Sequence, residues 1–112
     1  MQNKALSLWQ LSAMQLLKDC GKEIREDIIA PISDKEDLVQ LAIWVVTELL
    51  HSGSHSLTAA LYRLDISEKK IRLQTQSLSA NDRLIIVARA AAERCIQKVE
   101  LRRLHSDAKR NG

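Results

Sequence analysis

"LVQLAIWVVTELL", residues 38–50, decides the fold. Leu38, Leu41, Ala42, Val45 and Leu49 recur at helical spacing and make one apolar face. Val39, Ile43, Val46 and Leu50 make a second. A helix that is apolar on two faces is covered on several sides at once, so this segment is expected at the centre of an all-helical fold. Its start is marked in "SDKEDL", where Ser33 is the expected cap and Glu36 completes a capping box. Asp34, Glu36 and Asp37 place negative charge at the positive end of the helix dipole. Gly53, among the serines of "HSGSH", stops the helix, which is expected over residues 34–51.

The neighbouring segments carry the same period. A first helix is expected from Lys4 to Asp19, with Leu6, Trp9, Ala13, Leu16, Leu17 and Cys20 on one stripe and Gly21 closing it. Ile24 and Ile28 mark a short helix that ends at Ala30, because Pro31 disfavours helical geometry in the residue before it. Downstream, Ser54 or Ser56 caps "LTAALYRL", and Ser67 caps the short "EKKIRLQTQSL". The last helix opens at Ser79, with Asp82 at the capping-box position, and is expected to run to about His105. Its core face is Leu84, Ile85, Ala88, Ala91, Ala92, Cys95, Ile96 and Val99, and residues 105–112 read as a frayed tail. Trp9 and Trp44 are expected to anchor the core. The whole reads as one all-α domain, a compact orthogonal or irregular bundle of about five helices with a long C-terminal helix.

Composition agrees. Three glycines and one proline in 112 residues are too few for a many-turned β fold, and 46% hydrophobic with 28% charged residues is globular usage. The N-terminus lacks the features of a signal peptide and no 18-residue apolar run occurs, so a cytoplasmic protein with no membrane span is expected. Cys20 and Cys95 have no metal spacing and read as buried small hydrophobes in a reducing compartment, with a disulfide between them as the alternative.

The residues that bear on chemistry are few. His51 and His55 stand four apart, but Gly53 lies between them. Glu48-Leu49-Leu50-His51 is a single Glu-x-x-His, where a di-iron bundle needs two. No nucleophile motif or glycine-rich phosphate loop is present. No catalytic residue, metal or cofactor is expected, and the chain reads as non-enzymatic.

Charge is uneven. The net charge of +3 divides into +5 over residues 83–112, with eight Lys or Arg against three acids, and −2 over the remainder. Arg83, Arg94, Lys98 and Arg102 form a basic stripe on the last helix that can steer acidic partners. "LDISEKKIRLQ", residues 64–74, resembles the middle of a helix-turn-helix DNA reader, with Leu64, Ile66, Ser67 and Ile71 at matching positions. The resemblance implies that Lys69, Lys70, Arg72 and Gln74, together with the basic stripe, contact nucleic acid. Asp65 stands where that motif has its turn glycine, and Leu61 where it has a small residue. "LYRLDISEKKI" and "RLIIVARAAAERCIQKVELR" are also similar to stretches in small bacterial all-helical proteins, a likeness that implies fold and no activity.

The largest excess is apolar. Leu8, Leu11, Ile86, Val87, Leu101 and Leu104 fall off the main stripes of the first and last helices. A domain of this size buries only about two-thirds of its unfolded surface, and contiguous apolar remainders mark partner surfaces. The expectation is an interaction module that self-associates, most simply as a homodimer, or docks another protein.

Overall fold

The structure, a computed structural model, describes residues 5–111, apart from the side chains of residues 54 and 107–111. It is an irregular bundle of six helices in the order α1 (Leu8–Asp19), α2 (Glu26–Ile29), α3 (Lys35–His51), α4 (Ser54–Leu64), α5 (Glu68–Thr75) and α6 (Ala80–Asn111). No strand occurs among the described residues. The expected class and the long final helix are both found, and the single-turn α2 brings the number of helices to six.

The centre is α3, packed against α1, α4 and α6. Leu38, Val39, Ala42, Val45, Val46 and Leu49 are buried there, against Ala13, Leu16 and Leu17 of α1 and Ala88, Ala91, Ala92 and Cys95 of α6. The alanines of α6 remove side-chain bulk where three helices meet, which lets the backbones approach. Pairs Asp19–Lys98 and Gln15–Arg102 show that α1 and α6 run antiparallel. The same holds for α3 and α6: Lys35 pairs with Glu93 at the start of α3, while Val46 and Leu50 near its end share a groove with Leu84 and Val87.

Helix ends follow local chemistry, with corrections to the expected boundaries. The expected start at Lys4 lies outside the described residues. The helix begins at Leu8, because Ser7 accepts from the Gln10 amide while the Gln10 side chain accepts from the Ser7 amide. At α3 the cap is Asp34 rather than Ser33. Its carboxylate accepts from the Asp37 amide, and Asp37 in turn accepts from the amide and hydroxyl of Ser33. Asp37, not Glu36, is thus the reciprocal acid, and the Ser33 hydrogen bonds hold its carboxyl below the usual range. Gly53, with φ 118°, takes the N-cap of α4 in place of either serine. The backbone of α6 stays helical past the expected end near His105.

Two helices close with the same left-handed device. After α1, Gly21 (φ 70°) lets Lys22 N–H reach Leu17 O at 2.8 Å. After α4, Asp65 (φ 62°, ψ 44°) does the same for Ile66 N–H and Leu61 O at 2.9 Å. Asp is among the few side chains that tolerate this conformation, which turns α4 into α5.

Trp44 corrects the expected core. It is 48% exposed, whereas Trp9 packs partly against the core. Although α3 is apolar on two faces, its remaining stripe is Glu36, Gln40, Trp44, Glu48 and His51, all exposed. The tryptophan lies in line with the polar residues, where no other helix covers it.

Candidate interaction surface

The expected basic stripe is held to the body of the protein. Arg83 donates to Thr75 O (2.9 Å) and Gln76 O (3.2 Å), satisfying carbonyls left open at the end of α5. Arg94 donates to Leu64 O (3.1 Å) and pairs with Asp65 (3.1 Å). Lys98 donates to Asp19 (2.8 Å) and Arg63 O (2.8 Å), and Arg102 donates to Gln15 Oε1 (2.6 Å). Gln15 completes the chain by donating to Asp19 at 2.9 Å. Three of these four cations stand against carbonyls at the ends of α4 and α5, the negative ends of the helix dipoles. Their first role is to fasten α6 to its neighbours.

The α4–turn–α5 unit joins two helices through one left-handed residue. Asp65 adopts the positive φ of the turn position, and Ser67 accepts from the Lys70 amide as N-cap. Lys69, Lys70 and Gln74 are exposed, with Leu73, itself 59% exposed, on the same outer face. Arg72 is exposed as well and lies 3.5 Å from Glu68, and Thr58 of α4 donates to that same Glu68. At eight residues, α5 is short for a reading helix, spanning about 12 Å.

The apolar set divides. Val87 is 7% exposed and belongs to the core, which removes it from the expected interface. Leu8, Leu11 and Ile86 are half-buried. Leu101 and Leu104 are 50% and 65% exposed. They lie in the stretch Glu100–Ser106, where every residue is exposed. The antiparallel register brings Leu8 and Leu11 of α1 to the same end of the molecule as Leu101 and Leu104, while Ile86 lies several turns away along α6. Five exposed large hydrophobic residues lie outside the expected set: Ile24, Trp44, Leu50, Tyr62 and Leu73. For Trp44 the signal was present, in its alignment with Gln40 and Glu48.

Chemistry-bearing groups do not converge among the described residues. His51 and His55 are exposed on separate helices, and no metal-holding cluster of His, Cys, Asp or Glu occurs there. Both cysteines are free and buried. Burial pushes the Cys20 thiol up to about 11 and the Cys95 thiol up to about 12, with the Asp19 carboxylate adding to both. Neither is poised as a nucleophile. No helix among the described residues is long and apolar enough to cross a membrane. Comparison of the chain with protein-family models, curated proteins and solved structures finds no match.

Proposed function

We propose that the protein is a non-enzymatic interaction module that pairs with a second copy of itself through the end of α6. One observation carries the reading: Glu100–Ser106 are all exposed, yet Leu101 and Leu104 stand one turn apart within them. In an antiparallel pairing about a two-fold axis, each Leu101 meets the Leu104 of the other copy, an isologous contact. Each leucine gains roughly 1–2 kcal/mol on covering its exposed part, so four contribute about 4–8 kcal/mol. Set against an association cost of at least about 4 kcal/mol, this leaves up to about 4 kcal/mol, a weak dimer with a dissociation constant of about 1 mM. Two free buried thiols support a reducing, cytoplasmic setting.

Sedimentation equilibrium at concentrations spanning this value tests the reading. Wild type is expected to exceed the chain mass clearly by about 1 mM and to approach twice that mass toward about 5 mM, at both low and high salt, and Leu101→Asp/Leu104→Asp to stay at the chain mass. A chain that keeps the monomer mass up to about 5 mM refutes the proposal. A second reading, nucleic-acid binding, is favoured by one observation: Asp65 takes the turn conformation and sets Lys69 and Lys70 outward, in no ion pair among the described residues. That reading requires binding to generic duplex that falls steeply with salt and is weakened by Lys69→Ala/Lys70→Ala. Duplex binding unaffected by either change removes it.

A further inference from the structure

A groove of about 700 Å³ runs between α1 and the end of α6, on a side of α6 away from Leu101 and Leu104. Its floor is Leu11, Met14, Ile24 and Val99, and its rim carries Lys18, Arg102 and Arg103. No acidic side chain lines it among the described residues. We infer that this groove receives an acidic amphipathic α-helix of a partner protein.

Two arguments fix the occupant. The first is backbone chemistry. Both long walls are helices whose N–H and C=O groups are paired internally, so the groove offers no edge to an extended chain. An extended peptide covering this floor would leave its own backbone groups unmatched, whereas a helix satisfies them itself. The wall residues recur at helical spacing, Leu11, Met14 and Lys18 on α1 opposite Val99, Arg102, Arg103 and Ser106 on α6. Seven residues of wall make about 10 Å, room for two turns of a third helix laid along the antiparallel pair. Ile24 is 46% exposed at the end of this floor, where the chain leaves α1.

The second argument is charge. Lys18 and Arg103 are exposed and form no ion pair among the described residues, and Arg102 is anchored to the neutral Gln15. Glutamates flanking the apolar stripe of an incoming helix would meet three cations and, among the described residues, no carboxylate. The same charge disfavours a second copy of α6 here, because it would bring its own Arg102 and Arg103 against them. The groove therefore selects a different partner from the one proposed for Leu101 and Leu104, and its test is independent of the mass of the chain.

The probe is a synthetic peptide of about 18 residues, with leucines at i, i+3, i+7 and i+10 flanked by glutamates, and its isomer with lysines in place of the glutamates. Amide NMR spectra of the full chain are followed during titration. The acidic peptide is expected to bind at least about tenfold more tightly than the basic one, with shifts centred on Leu11, Met14, Lys18, Ile24, Val99 and Arg103. Lys18→Glu/Arg103→Glu, both at exposed positions, is expected to reverse the preference, with an unchanged melting curve as the check on folding. Equal binding of the two isomers, no binding of either at about 1 mM, or shifts centred elsewhere would overturn the inference. So would retention of the chain on vesicles of phosphatidylcholine and phosphatidylglycerol that the acidic peptide fails to displace.

Discussion

Lys98→Met strands a carboxylate. The ammonium lies 2.8 Å from Asp19 Oδ2 and 2.8 Å from Arg63 O, joining α6 to α1 and to the end of α4. The Asp19 side chain is 10% exposed and that of Lys98 22%, so the acid is the more deeply buried partner. Two unit charges attract by about 4 kcal/mol at 4 Å and an effective dielectric of 20, and by more at hydrogen-bond distance. Desolvation of both ions offsets much of this, so the pair adds little net stability over an apolar filling. Removing only the cation is different: Asp19 is left with Gln15 as its hydrogen-bond donor, and the expected loss is about 3 kcal/mol. Asp19→Asn leaves Lys98 with Arg63 O and an approach from water, and is expected to cost about 1–2 kcal/mol. Asp19→Leu/Lys98→Met removes both charges and is expected to be more stable than Lys98→Met alone. Urea unfolding reads these values. With a slope of about 1–2 kcal/mol per molar, Lys98→Met should lower the midpoint by roughly 2 M. A shift no larger than that of Lys69→Met, an exposed cation expected to lie within about 0.5 kcal/mol of wild type, would refute the reasoning.

Other changes test other parts of the fold. Ser12 is fully buried in α1, and its hydroxyl has no partner, so Ser12→Ala is expected to stabilise by about 1 kcal/mol in thermal unfolding; a destabilised variant would show that the hydroxyl is satisfied. Asp65→Gly relieves a left-handed residue and gives up a contact at an 82% exposed side chain, so it should be neutral or stabilising by a few tenths of a kcal/mol, while the β-branched Asp65→Val should cost about 1–2 kcal/mol. Above pH 9 the unfolded thiols lose their protons while the buried Cys20 and Cys95 keep theirs, up to about 11 and 12 respectively. The unfolded state then binds fewer protons, so stability is complete below pH 9 and falls between pH 9 and 11 by up to about 1.4 kcal/mol per unit for each thiol. The fall should shrink in Cys20→Ala/Cys95→Ala, and a slope unchanged in that variant would place the titration elsewhere.

Most of the fold was legible because it rests on local period and local caps. The two-faced pattern of α3, the Ser67 and Ser79 starts and the Gly21 stop all act within a few residues. Where local signals competed, the reading slipped by one position: Ser33 and Asp34 both suit a cap, and Asp34 takes it because Asp37 then reaches back to Ser33. The Ser7–Gln10 box was present in the sequence but was masked by the apolar stripe, which extends back to Leu6. The basic stripe was legible as spacing but not as a set of partners. Lys98 finds Asp19 79 residues away and Arg94 finds Leu64 O 30 residues away, and nothing local encodes those distances. Burial of Val87 was illegible for the same reason. It lies off the main stripe of α6 and lines the groove that α4 and α5 make with α3 and α6.

Once those pairings are counted, the outer surface changes character. A last third that looks strongly basic in sequence uses Arg83, Arg94, Lys98 and Arg102 against groups of its own chain. Arg89 likewise lies 3.7 Å from Glu36. What α6 turns outward at its end is less a field of free charge than a pair of leucines with charged residues around them. Single exposed leucines are ordinary and carry no meaning. Two at i and i+3, inside seven consecutive exposed residues, are clustered on one side of a helix that no other helix covers there. Monomer stability does not account for them, because a glutamate or lysine at either position would keep the helix propensity and forgo no buried area. Covering by a second chain, the pairing proposed for this end of α6, would account for them.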